Sequence, residues 1–118
     1  MSSGYQIYDQ SGTYFLTFLV VDWVDIFSRK KYRDVVVDSL NYCVEYKGLS
    51  ITAWVIMTNH VHVIFQAKKN NLSEIVRDFK SHTAREILKQ MEENDESRRI
   101  WMKHVFRFNA MKHSRNEY

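Results

Sequence analysis

Ile51-Thr52-Ala53-Trp54-Val55-Ile56-Met57-Thr58-Asn59-His60-Val61-His62-Val63-Ile64-Phe65-Gln66-Ala67 is the stretch from which the fold can be read. Two runs rich in β-branched and aromatic residues flank a short turn signal, Thr58-Asn59, so the pattern predicts a β-hairpin. Side chains in a strand alternate faces. Val61, Val63 and Phe65 therefore point one way, and His60 and His62 the other. Two imidazoles on one face, about 7 Å apart along the strand, can converge on one divalent cation. The spacing alone leaves a second reading open, in which both are ordinary strand residues on a wet face.

Upstream, residues 13–21 are again β-branched and aromatic and follow Ser11-Gly12, which predicts a central strand buried on both faces. A helix is expected over 29–47. Ser28 stands as its N-cap, Tyr32, Val36, Leu40, Cys43 and Val44 form its apolar positions, and Gly48 marks a left-handed C-terminal stop. Downstream of the hairpin, the polar loop Lys68-Lys69-Asn70-Asn71 leads into a second helix. Asn71 with Glu74 reads as a capping box. Leu72, Ile75, Val76, Phe79, Thr83, Ile87 and Met91 make one stripe, with Arg77, Lys80, Ser81 and Lys89 outside it. A third helix is expected over 95–108, capped by Asn94, with Trp101, Met102, Val105 and Phe108 inward.

Strand, helix, hairpin and helix are the opening of an α+β, ferredoxin-like (split βαβ) sandwich, an antiparallel sheet with helices on one face. The polar residues 112–118 show no strand pattern, so the fourth strand of that unit is expected to be missing. Val61, Val63 and Phe65 should pack under the helices, which leaves His60 and His62 on the open face. Such a face, with histidines, threonines and aromatics, suits single-stranded nucleic acid.

Composition sets the outer bounds. The 118 residues fit a single domain, 1–118, with a modest core. No segment has the ~18–20 apolar residues of a membrane span, and the N-terminus lacks a signal-peptide pattern. Cys43 is the only cysteine and reads as a small core residue. These features together point to the cytoplasm. A net charge of +3 with pI near 9.0 permits nucleic-acid binding without requiring it. Trp54 and Trp101 read as core. His82, His104, His113, Arg98 and Arg99 read as surface.

Residues 53–65, followed by Leu72-Ser73-Glu74-Ile75-Val76-Arg77-Asp78-Phe79-Lys80-Ser81-His82-Thr83, resemble the IS200/IS605-type transposases, in particular their REP-associated tyrosine transposase relatives. That family usually writes the hairpin turn Met-Pro-Asn-His-hydrophobic-His. Here Thr58 stands in place of proline, which should soften the turn without touching the ligands. Tyr14-Phe15-Leu16-Thr17-Phe18 looks like the family's first strand.

The resemblance implies single-stranded DNA nicking and joining. The histidine pair, His60 and His62, with a third polar ligand, would hold Mg²⁺ or Mn²⁺ against the scissile phosphate. A tyrosine hydroxyl would attack phosphorus and leave a 5′-phosphotyrosine link. Imidazole alone is not the donor set that Mg²⁺ prefers, so two histidines are an incomplete site. By the same resemblance Lys80, Ser81 and Thr83 hold DNA, with Arg77 beside them. Each also has a bland reading as solvated helix surface. Asn59 either orients a ligand or contacts DNA, or simply forms the turn. Partners so implied are single-stranded or hairpin DNA and a second copy in a homodimer.

The family carries its nucleophilic tyrosine on a helix beyond a fourth strand. Tyr14, Tyr32, Tyr42 and Tyr46 do not fit that role, and Tyr118, terminal and without a helix to position it, is the one candidate nucleophile left in the chain. The expectation is a chain cut short of its nucleophile helix. Two functions stay open: a transposase domain that nicks and joins DNA, and a catalytically inactive remnant that binds single-stranded or hairpin DNA.

Overall fold

The computed structural model describes residues 7–20, 25–93 and 108–116, the last as a backbone strand. In chain order the elements are β1 (Thr13–Val20), a short 3-10 turn (Ile26–Ser28), α1 (Lys30–Tyr46), β2 (Leu49–Ile56), β3 (His60–Ala67), α2 (Leu72–Glu93) and β4 (Phe108–Asn116). The sheet runs β2-β3-β1-β4, and every pairing is antiparallel. This is the βαββαβ order of the ferredoxin-like sandwich.

The fourth strand expected to be missing is therefore present. Residues 108–116 pair with β1 from Val20↔Phe108 to Thr13↔Asn116, and Phe108 opens this strand instead of ending a helix. The segment lacks apolar alternation because it is a sheet edge, where polar and charged residues are tolerated and backbone pairing with a central strand supplies the order. The rest of the expected third helix, with Trp101, lies outside the described residues.

The core forms where periodicity predicts it, except that β1, expected to be buried on both faces, is buried in full on one, with Phe15 and Leu19 half-buried on the other. Tyr14, Leu16, Phe18 and Val20 of β1 and Val61, Val63 and Phe65 of β3 are buried with Tyr32, Val36 and Leu40 of α1 and Ile75, Val76, Phe79, Ile87 and Met91 of α2. Phe79 meets Phe18 edge-on at 4.9 Å between ring centroids, a contact worth about 0.5–1.5 kcal/mol beyond its area. Gly48 has φ +75 after α1, the left-handed stop its position called for. Cys43 is buried, and burial pushes its thiol up to about 11, which makes it inert.

Local signals misled at the caps. Ser28 ends the 3-10 turn and donates its hydroxyl to Asp25 O, while Arg29 takes the α1 cap position without a side-chain bond. Asn71 precedes α2, but its buried Oδ1 has no hydrogen-bond partner. The cap is Gln10, whose Oε1 accepts from Ser73 N at 2.7 Å while its Nε2 donates to Ser73 Oγ at 2.8 Å. Three other placements differ from expectation. Val44 and Trp54 are exposed, since Val44 turns off the core face of α1 and Trp54 sits on the edge strand β2. Lys80 is inside the α2 stripe, only 7% exposed.

Candidate functional site

The histidine hairpin is fixed by backbone bonds at its turn. Met57 N donates to His60 O at 2.8 Å and closes the loop at Thr58-Asn59. The outward carbonyls are also taken: Phe27 N donates to Thr58 O at 2.9 Å, and Val20 N to Asn59 O at 3.1 Å. The Thr58 carbonyl, which proline would present equally, ties the turn to the 3-10 turn before α1.

His60 and His62 alternate with the buried Val61 and Val63, so they lie on the face away from the helices. Their rings are 4.6 Å apart between centroids, at 76°. A metal bound about 2.1 Å from Nε2 lies roughly 3.2 Å from the ring centre, so two ligands at a right angle put their centroids roughly 4.6 Å apart. The observed spacing matches that arrangement.

Each ring is also held by a neighbour. His60 Nδ1 is 2.7 Å from Asn59 Oδ1, an acceptor, so Nδ1 carries the proton and the lone pair sits on Nε2. His62 Nδ1 is 3.0 Å from Thr17 Oγ1, across the β1–β3 register Thr17↔His62. A hydroxyl can accept from Nδ1, which again leaves Nε2 to coordinate. Phe15 lies beside His62, with ring centroids 5.5 Å apart. Thr17 is buried on this face, 4% exposed, between β3 and β4. Among the described residues no group of three or more His, Cys, Asp or Glu side chains forms a metal site, so this chain's visible donors are the histidine pair.

The helix residues sit elsewhere. α2 packs on the opposite face of the sheet, and its motif residues divide by burial. Arg77 and Ser81 are exposed, with Arg77 Nε 3.1 Å from Asp78 Oδ1 and Ser81 accepting from Arg85. Thr83 is fully buried and donates to Ser39 Oγ at 3.0 Å, pinning α2 to α1. Lys80 is buried too, and desolvation lowers its pKa. A strand could reach Lys80 or Thr83 only if the helix layer opened. Asp78 is held below the usual carboxylate range, first by its hydrogen bond from Lys47 at 2.8 Å, and Lys47 is raised by the same bond.

Thr17 is marked in the sequence only by the alternation that puts it on the face opposite Leu16 and Phe18. The register that sets it against His62 is not written locally. Of the tyrosines, Tyr14 and Tyr32 are in the core, and Tyr42 and Tyr46 are exposed on α1, so these four are away from the histidine face. Tyr118 lies outside the described residues.

The chain belongs to the IS200-like transposase family, whose pattern it matches over residues 11–116. The fold is that of solved transposases. A REP-associated tyrosine transposase bound to a REP hairpin superposes with TM-score 0.60 at 18% identity, covering 98% of this chain and 64% of that one. A protein assigned as a transposase from Deinococcus radiodurans superposes with TM-score 0.60 at 16% identity, covering 97% of this chain and 87% of that one. The chain thus spans under two thirds of the hairpin-bound transposase. No curated protein matches it. Among the described residues no helix is long and apolar enough to cross a membrane.

Proposed function

We propose that the chain is the DNA-processing domain of a transposase that nicks and joins single-stranded DNA by metal-assisted tyrosine transesterification. The observation that carries this reading is the histidine pair, two rings at ligand spacing with their Nδ1 atoms bonded to Asn59 and Thr17. His60 and His62 would hold Mg²⁺ or Mn²⁺ through Nε2, with a further ligand from outside this pair. The ion supplies charge neutralisation and in-line positioning for a phosphodiester. Asn59 Oδ1 accepts from His60 Nδ1, and Thr17 bonds His62 Nδ1, so both Nε2 atoms are left for the ion, while the open face, with Phe15 beside His62, offers stacking for an unpaired base. In the reaction a tyrosine oxygen bonds to phosphorus, the bond to the 3′ oxygen breaks, and that oxygen leaves as a hydroxyl. The solved relative bound to a REP hairpin supports hairpin DNA as the substrate class.

One observation favours the second reading, DNA binding without cutting: Tyr14, Tyr32, Tyr42 and Tyr46 all lie away from the histidine face. A single experiment separates the readings. The chain is incubated with Mn²⁺ and a labelled single-stranded or hairpin oligonucleotide, and covalent adduct and retained complex are both scored. An adduct lost in His60→Ala and in Tyr118→Phe supports the enzyme. A complex without adduct, weakened by His60→Ala and by added salt, supports the binding module. Absence of both sinks the proposal.

A further inference from the structure

The helix side of the molecule carries a second concavity, separated from the histidine face by the sheet. A cavity of about 370 Å³ opens between α1 and α2, and its lining includes Tyr42, Lys47, Asp78, Ser81, His82 and Arg85. Its charges are unevenly matched. Asp78 is the one carboxylate among its described lining residues, and both oxygens are already engaged, Oδ2 by Lys47 at 2.8 Å and Oδ1 by Arg77 at 3.1 Å. Glu74 acts on Lys47 from outside the lining. Arg85 sits one turn beyond, bonded to the Ser81 hydroxyl and, among the described residues, paired with no carboxylate. His82 is exposed beside it. A long side chain on a helix leans toward the N-terminus, so Arg85 reaches back over Ser81 toward the cavity mouth. Across that mouth, exposed Tyr42 contacts exposed Tyr46, with ring centroids 4.9 Å apart.

We propose that this cavity is a phosphate-binding site, with Arg85, His82 and the Ser81 hydroxyl as donors and Tyr42 as its wall. A guanidinium whose bonded neighbour is a neutral hydroxyl has donors suited to the paired oxygens of a phosphate. A carboxylate ligand in its place would match the charge but use fewer of these donors. The phosphate has two possible sources, a DNA strand that wraps onto the helix layer or a free phosphate ester. The inference does not rest on the histidine site, and its readout is separate.

The test uses the full chain. Inorganic phosphate and a mononucleotide are titrated into isotope-labelled protein, and a labelled single-stranded oligonucleotide is bound at several salt concentrations, with wild type, Arg85→Ala and His60→Ala. Alanine is the strongest helix former and Arg85 is exposed, so the variant keeps α2. Amide shifts at Ser81, His82 and Arg85 are expected with phosphate in wild type and not in Arg85→Ala. If the strand is the source, Arg85→Ala weakens oligonucleotide binding about tenfold and lowers the salt slope by about one contact. If phosphate or the mononucleotide shifts these amides while strand affinity is unchanged by Arg85→Ala, the source is a free phosphate ester. If phosphate, mononucleotide and strand all leave Ser81, His82 and Arg85 unmoved, the proposal is overturned, whatever His60→Ala does to metal or DNA.

Discussion

His62 owes its orientation to Thr17, a residue 45 positions earlier, more than to its own neighbours. Period-two alternation made the faces of β3 legible, so Val61 and Val63 in the core and the histidines on the open face could be read from the sequence. Register could not, because which β1 residue meets His62 depends on strand pairing across the whole first helix. The consequence is measurable. Thr17→Val keeps the shape of the side chain but removes the oxygen bonded to Nδ1. Mn²⁺ affinity, measured by calorimetry, is expected to fall about 10–100-fold, with Thr17→Ser close to wild type. Equal affinity in Thr17→Val would show that the bond does not tune the ring. Lys80 teaches the same limit. A lysine four residues after Val76 falls on the core stripe, yet its charge argued for solvent. Its pKa is lowered by burial, so between that lowered value and the unfolded ~10.4 the unfolded chain binds more protons than the folded one. Lys80 therefore contributes a rise in urea stability as this window is crossed from below, set against the fall contributed by Cys43 and Lys47, whose raised pKa values hold protons longer in the folded chain. Lys80→Met should lose that rise, and an unchanged profile would mean that Lys80 is solvated in the folded protein.

At the scale of elements, helices and strands with strong periodicity were legible, and their ends were not. The Asn71–Glu74 pattern is a sound local cap, but the N-terminal segment competes for the same amides and Gln10 wins Ser73 with two bonds. Gln10→Ala should cost about 1 kcal/mol in urea denaturation, as loss of a helix cap does, while Asn71→Ala should cost less because its Oδ1 makes no bond. The reverse order would restore the capping box. β4 was illegible for a different reason. An edge strand needs no apolar face of its own when a central strand such as β1 supplies the partner, so residues 112–116 showed only a polar string and Phe108 read as the end of a helix.

At the scale of the whole molecule, adding β4 gives the sheet two unlike edges. β4 includes Lys112 and Arg115, charges of the kind that discourage further pairing, whereas β2 has no charged residue between Leu49 and Ile56. Trp54 and Val55 on β2 and Met57 just after it are exposed, Trp54 by 52%. A bulge between Ile51 and Ala53 is the one irregularity where β2 pairs with β3. An uncharged, proline-free edge is a template for another strand, and an antiparallel copy of itself satisfies both sets of unpaired backbone groups by two-fold symmetry. The homodimer implied by the family resemblance therefore has a candidate seam in β2. Backbone pairing alone covers too little for a stable interface of about 1,000 Å² or more, so Trp54 must be buried with it. Trp54→Lys puts a charge at the centre of that seam and leaves the core untouched. Sedimentation equilibrium is expected to show a dimer for wild type and a monomer for Trp54→Lys, with unchanged circular dichroism. A wild-type monomer at all concentrations would end the dimer reading, and a dimeric Trp54→Lys would move the seam away from β2.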